Sequence, residues 1–331
     1  MSDLAPPTVC EPDLNALFEA IKHAHAALRP AVRTTPLTRS QHLSATTGVD
    51  VWLKCEHLQP TGSFKFRGAC NKVRLLPVSA REHGVIAASS GNHGQALALA
   101  GKTAGVPVTL YTTTTASTYK VEAMRNLGAE VICLPTDPLS AELEAARQAQ
   151  AKGVPFVSPY NDLQVIAGQG TIGMELFEQA PDLDAVFVAV GGGGMIAGIG
   201  AALRTLAPGV DIIGCWPEND QALEQSLKAG RIIDVPASPT LSDGTAGGVE
   251  PGAITLPLCQ ALLTDTVLVS EAQIRAAMRD IASSERWIIE GAAAVAVAAM
   301  KKCADRYQGK RVAVVLCGRN IALDTFLEAV K

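Results

Sequence analysis

From residue 51 onward, short apolar runs alternate with stretches of helical period. The apolar runs cover 51–55, 85–88, 108–111, 131–134, 185–190, 211–215 and 312–316. Helical patterns fall between most of them, at 92–104, 118–127, 141–151, 164–178, 195–206 and 220–228. Such alternation needs crossover connections, and crossovers make neighbouring strands parallel with helices on both faces. The expected fold is therefore α/β, with open, parallel, twisted sheets flanked by helices. A helix at 13–29 precedes this region, with Leu14, Leu17, Phe18, Ile21, Ala24 and Leu28 at three-to-four spacing. Thr34-Thr35-Pro36-Leu37 breaks it with an extended segment. The 331 residues, 48% of them hydrophobic, suffice for two domains or one large one.

Charge and cysteine usage remove several function classes. Net charge is −4 and no run of like charge exists, so there is no basic field for nucleic acid. The eight cysteines, at 10, 55, 70, 133, 215, 259, 303 and 317, form no C-x-x-C pair. That argues against a zinc site and a disulfide framework, and it suits reduced thiols in the cytoplasm. Met1 to Pro12 lacks the apolar core of a signal peptide. No window approaches 18 unbroken apolar residues, so no membrane span is expected.

Three stretches carry chemistry. In Pro60-Thr61-Gly62-Ser63-Phe64-Lys65-Phe66-Arg67-Gly68, Lys65 falls between a strand-like run and a helix-like run over Ala69–Leu76, where open α/β sheets place ligands. Two aromatic residues, Phe64 and Phe66, flank it. An apolar setting lowers a lysine's pKa, and a neutral amine forms a Schiff base with an aldehyde. A plain surface lysine in a turn is the competing reading.

Ser89-Ser90-Gly91-Asn92-His93-Gly94 follows one strand and opens a helix, so its amides can make a nest for a carboxylate. A serine cap of that helix is the alternative. Gly191-Gly192-Gly193-Gly194 follows the most hydrophobic strand and opens a helix at Met195, which suits backbone amides wrapped round a phosphate. A dinucleotide fingerprint would need an acid at the end of the next strand. Asp211 has about the right spacing but begins that strand. Cys317, after the last strand, is placed either to meet a ligand or to pack as a small hydrophobe. A ligand with both an aldehyde and a phosphate would use the lysine, the carboxylate nest and the phosphate cup together. Pyridoxal phosphate is such a ligand.

These residues resemble the serine/threonine dehydratase and serine racemase family of fold-type-II pyridoxal phosphate enzymes. The resemblance runs over about residues 15 to 325. It is carried by Lys54-Cys55-Glu56, Thr61-Gly62-Ser63-Phe64-Lys65, Ser89 to Gly94, Ala167-Gly168-Gln169-Gly170-Thr171, Gly191 to Gly194 and Cys317-Gly318-Arg319-Asn320. It implies a two-domain, tryptophan-synthase-β-like fold. Residues 1–59 and 161–331 would form a large cofactor-binding domain, and 60–160 a small mobile domain closing on substrate.

By the same resemblance, Lys65 would hold pyridoxal phosphate covalently and act as base at Cα, with Ser90 as acid or base on the other face. Phe64 would pack on the pyridine ring. Ser89, Ser90, Gly91, Asn92 and His93 would bind the substrate, Asn92 also meeting the cofactor's 3-oxygen. Gly191, Gly192, Gly193, Gly194 and Met195 would hold the phosphate, and Cys317 would face the pyridine nitrogen. The implied activity is a dehydratase, or ammonia-lyase, taking water from a β-hydroxy amino acid such as L-threonine or L-serine to give a 2-oxo acid and ammonia.

Departures widen the choice. Trp216 stands where several relatives have a cation-binding Glu, so no metal is expected. Arg319 in the last motif is expected to put a guanidinium close to the site. The pattern is also similar to dehydratases of hydroxyectoine breakdown, and a serine- or aspartate-type racemase uses the same scaffold. The family implies a homodimer acting on a small amino acid.

Overall fold

The computed structural model describes residues 12–331. Cys10 and the Met1–Pro12 reading therefore lie outside the described residues, apart from Pro12. Two sheets organise the chain. The larger has six strands in the order β1-β2-β9-β6-β7-β8: β1 (Leu37–Arg39), β2 (Asp50–Lys54), β6 (Ala185–Ala189), β7 (Asp211–Pro217), β8 (Asp265–Val269) and β9 (Arg311–Val315). Only the β1–β2 pairing is antiparallel. The smaller sheet runs β3-β4-β5 in parallel: β3 (Val85–Ala88), β4 (Val108–Thr113) and β5 (Glu130–Leu134).

The central strands are continuous apolar runs because helices cover both of their faces. All five residues of β6, Ala-Val-Phe-Val-Ala, are buried. Against the sheet lies the helix Gly291–Lys302, whose alanine-rich face lets backbone approach β6, β7, β8 and β9 closely. Each sheet has its own core. Phe187, Ile212, Val267 and Val314 belong to the larger one, and Leu97, Val108, Leu110 and Met124 to the smaller.

Helix Leu163–Gln179 joins the two regions. It packs on both Lys65–Arg74 and Gly194–Leu206. At the first crossing a Cβ on Gly168 would lie 2.6 Å from the Cα of Gly68, so two glycines meet back to back. The Gln169 side chain accepts from the Gly68 amide at 3.2 Å. The Ala167–Thr171 motif thus fixes how the lysine-bearing helix is mounted.

Strand order explains why distant motifs meet. β2, β9 and β6 are neighbours and parallel. Their C-terminal ends lead into the Lys65 segment, Cys317 and Gly191–Gly194, which leave the sheet along one edge. Further bonds fix the first two loops together: Phe64 N–H donates to Cys317 O at 3.0 Å, and Arg319 N–H to Gly62 O at 2.9 Å.

The structure adds elements that the periodicity reading left unassigned. The extended segment at 34–37 leads into β1. β8 and the helices Gln41–Thr47, Val78–His83, Thr255–Leu262, Glu271–Ser284 and Leu323–Ala329 were unassigned. The lysine-bearing helix begins at Lys65 rather than Ala69. Phe66 is not a flank of the amine but part of the smaller core. A helix sends successive side chains about 100° apart, so two residues bracketing Lys65 cannot both face its partner. Among the described residues, no helix is long and apolar enough to cross a membrane.

Candidate active site

Lys65 opens its helix with its amine buried, 5.2 Å from the centre of the Phe64 ring. The amine donates to the Pro159 carbonyl at 2.9 Å. Burial lowers its pKa from 10.5 to about 8, with Cys317 and Glu290 pulling the other way. Phe64, Lys65, Asn92, Gly191–Gly194, Met195, Glu290 and Cys317 line one inner chamber. Lys65, Asn92, Gly191 and Gly192 also line an outer chamber of about 330 Å³, together with Ser89, Ser90, Gly91 and His93. Every site residue read from the sequence borders one of the two chambers.

The glycine turn has the form of an anion cup. The helix starts at Gly194, so the first amides have no carbonyl one turn back. Outside the helix and strand ladders, no backbone carbonyl among the described residues accepts from Gly191, Gly192, Gly193 or Gly194. A Cβ on Gly192 would lie 2.4 Å from the Tyr160 ring, so no larger residue fits there. Tyr160 was missed by sequence reasoning. Its hydroxyl accepts from Glu250 N–H at 3.0 Å.

The Ser89–Gly94 turn divides its labour. Ser89 Oγ accepts from the Gly91 and Gly94 amides at 3.1 and 3.0 Å, so this hydroxyl caps the helix and retains only its own proton to give. Ser90 has no recorded hydrogen bond among the described residues and borders the outer chamber. His93 Nε2 lies 3.0 Å from Val157 O, which makes it the donor, and Nδ1 has no partner. Burial holds the ring neutral, with its pKa down at about 3.

Asn92 is held between two groups of the larger sheet's loops. Its Nδ2 donates to Glu290 at 2.8 Å, and its Oδ1 accepts from Asn320 at 2.6 Å. Glu290 is the second residue that the sequence reading missed as part of the site. Burial, then repulsion from Asp243, raises its carboxyl from 4.5 to about 7. A usable signal existed: one acid stands immediately before the wholly apolar turn Gly291-Ala292-Ala293-Ala294, at the cap position of a buried helix. Burial likewise keeps the Cys317 thiol well above its ordinary pKa and hence neutral.

A model of the pyridoxal-phosphate-dependent enzyme family matches residues 28–318. This chain belongs to that family. Among curated members, the L-threonine ammonia-lyase of Thermotoga maritima is 43% identical over 92% of this chain and 75% of its own length. The serine racemase of Arabidopsis thaliana is 35% identical over 94% of this chain and 95% of its own. Among solved structures, the processed form of threonine deaminase isoform 2 from Solanum lycopersicum superposes with a TM-score of 0.91. Its identity is 31%, and the match covers 99% of this chain and 98% of that one. The architecture is thus that of fold-type-II pyridoxal phosphate enzymes, and pyridoxal phosphate is the cofactor.

The site of this family member fits that group. It has a buried amine of lowered pKa, two chambers of about 50 and 330 Å³ beside it and unclaimed amides for a phosphate. One sequence reading changes and another holds. Arg319 does not reach these chambers; it borders a separate groove of about 750 Å³ with His57 and Trp287. The Gly62 turn directs it there, since Arg319 N–H is tied to Gly62 O. Asp211 begins β7 and accepts from the Tyr307 hydroxyl at 3.0 Å, at the strand end away from the glycine turn. The dinucleotide reading therefore lacks its acid. Trp216 is buried, and among the described residues no cluster of three or more His, Cys, Asp or Glu could hold a metal ion.

Proposed function

We propose that the protein is a pyridoxal-phosphate-dependent dehydratase. It removes water from a β-hydroxy amino acid of the L-threonine or L-serine type and releases a 2-oxo acid and ammonia. One observation supports this above the rest: the Lys65 amine, its pKa lowered to about 8, stands between the neutral Cys317 thiol and the turn at Ser89–Gly94. Pyridoxal phosphate, when bound, supplies an electron sink that makes the substrate's Cα–H acidic.

The chain's residues do the remaining work. Lys65 would hold the cofactor through its amine and would take the proton from the substrate's Cα. The amides of Gly191–Gly194 and Met195 would hold the phosphate, and Phe64 would pack on the ring. Amides of the Ser89–Gly94 turn, with Asn92 and His93, would hold the substrate carboxylate. Asn92 would also meet the cofactor's 3-oxygen. Because burial keeps Cys317 a neutral thiol, it would not hold the pyridine nitrogen protonated as an ionised Asp would. That favours loss of the β-hydroxyl soon after the Cα proton. Residues 60–160 act as the part that closes on the substrate. The protein works as a cytoplasmic homodimer.

A second reading is racemisation, which needs a proton donor on the other face of Cα. The Ser90 hydroxyl favours it, since no partner among the described residues occupies it. Purified protein supplied with L-threonine or L-serine distinguishes the two. The dehydratase gives ammonia and 2-oxo acid in equal amounts, whereas a racemase gives the D-amino acid instead. A protein that takes up no pyridoxal phosphate refutes both.

A further inference from the structure

Asn92, Glu290 and Asn320 close a ring of hydrogen bonds beside the chambers. Asn320 Nδ2 donates to Asn92 Oδ1 at 2.6 Å, and Asn92 Nδ2 donates to Glu290 Oε1 at 2.8 Å. Glu290 Oε2 accepts from the Asn320 backbone N–H at 2.9 Å, which completes the ring. A fourth bond anchors it: Asn320 Nδ2 also donates to the Thr61 carbonyl at 2.8 Å. Glu290 is buried, and a Cβ on Gly318 would lie 2.4 Å from its Oε1, so the carboxylate fills a niche that only glycine leaves open. Asn92 comes from the helix after β3, whereas Thr61, Glu290 and Asn320 come from loops of the larger sheet.

The backbone gives this ring one polarity. A backbone carbonyl only accepts, and a backbone N–H only donates. Thr61 O therefore requires the amide nitrogen of Asn320 on its side. That same nitrogen faces Asn92, which must present its oxygen to it. The nitrogen of Asn92 is then left for Glu290, whose other oxygen is held by the Asn320 N–H. Both Glu290 oxygens accept, and these two bonds oppose the burial and the Asp243 repulsion that raise its pKa. An amide nitrogen carries two hydrogens. Asn92 gives one to Glu290, and the other has no partner among the described residues. Asn92 borders both chambers, so that second N–H is open to a ligand there.

We propose that Glu290 and Asn320 are positioning residues: by fixing which way the Asn92 amide lies, they make it a donor to the cofactor's 3-oxygen and hold that oxygen ionised. This rests on the reading above, in which Asn92 meets that oxygen. An unrestrained asparagine side chain turns over about its last bond and presents its carbonyl as readily as its nitrogen. A carbonyl facing the 3-oxygen favours the protonated form, because two acceptors need a hydrogen between them. A donor favours the ionised form, since hydrogen bonds to a charged oxygen are the stronger kind.

The test reads the absorption spectrum of the holoenzyme without substrate, where an ionised 3-oxygen gives a visible band and a protonated one a near-ultraviolet band. The wild type should show mainly the visible band. In Glu290→Gln the new amide oxygen must face the Asn320 N–H, so its nitrogen meets that of Asn92 and the ring cannot close. The ratio of visible to near-ultraviolet absorbance should fall about tenfold or more. Asn320→Ala frees the Asn92 amide to turn over, should lower the ratio by a smaller factor, and decides the matter if the first variant does not fold. In an Asn92→Ala background neither change should move the ratio further, because both act through that side chain. A wild type dominated by the near-ultraviolet band overturns the proposal, as does an unchanged ratio in the variants. An equal fall with and without Asn92 also overturns it, since Glu290 would then act on the cofactor directly. A protein that takes up no pyridoxal phosphate removes this proposal together with the dehydratase reading. Bands that shift as expected in an enzyme yielding no 2-oxo acid refute the dehydratase reading alone and support the ring.

Discussion

Two buried polar regions flank Lys65, and they are built in opposite ways. On one side Arg67 donates to Glu56 at 2.7 and 2.8 Å and to Glu175 at 2.7 and 2.8 Å. Lys54 donates to the same Glu175 at 2.6 Å, and Thr35 to Glu56 at 2.5 Å. Burial opposes ionisation of Glu56, yet Arg67 holds its pKa below the usual range. On the other side, the chamber wall leaves His93 Nδ1, Thr112 Oγ1 and Glu142 Oε1 unpartnered. The first region spends its polar groups on each other and fixes the lysine-bearing helix to β2 and to Leu163–Gln179. The second keeps polar atoms unpaired beside the chamber. Paired buried charges thus hold the frame, while the wall beside the chamber has no such pairing.

Breaking the frame gives the largest expected loss of stability. Arg67→Met strands two carboxylates and should cost about 3–5 kcal/mol in urea denaturation. A loss under about 1 kcal/mol would mean that water reaches this cluster. Thr112→Val should change stability by less than about 1 kcal/mol, because no hydrogen bond is lost. Stability losses of similar size in both variants would erase the contrast.

Gly192→Ala should be intermediate. Its methyl group must displace the Tyr160 ring, at about 1–3 kcal/mol. The expected readout is roughly ten- to a hundredfold weaker pyridoxal phosphate retention after dialysis.

The effects of pH are spread over several units and are small within any one of them. Burial lowers His57 to about 4 and His93 to about 3. Between pH 6.5 and those values the unfolded chain binds protons that the folded one refuses, so stability rises with pH there. Each ring should account for about 1.4 kcal/mol per pH unit within its window. His57→Asn should flatten the slope between pH 6.5 and about 4. In cofactor-free protein, modification of Lys65 by an amine reagent should rise through about pH 8. A midpoint near 10.5 would show the amine to be solvated.

Most of the frame was legible because it is written in period and glycine. β6 and β9 read as strands from unbroken apolar runs, and the tetraglycine announced a turn that only bare backbone can make. β8 and the segment after residue 229 were harder. Asp265–Val269 is a short apolar run, and the helix after it, Glu271–Ser284, carries Ile274, Ala277, Met278 and Ile281 at three-to-four spacing behind a Ser270–Gln273 capping box, a signal that the alternation alone does not use. The site was legible where one local motif carries it, as at Lys65 and Ser89–Gly94. Glu290 and Tyr160 were not, because each acquires its role from a partner far away in sequence. Glu290 meets Asn92 across 198 positions. Arg319 shows the same limit in reverse: two residues from Cys317 in the chain, it faces another groove.

The central claim is that the amine at position 65 carries the cofactor. Borohydride reduction of the holoprotein, followed by proteolysis and mass spectrometry, tests it most directly. The account predicts the pyridoxyl mass on the peptide containing Lys65, with the visible absorption band lost in Lys65→Ala. The mass on another lysine such as Lys120, or a band that survives in Lys65→Ala, would contradict it.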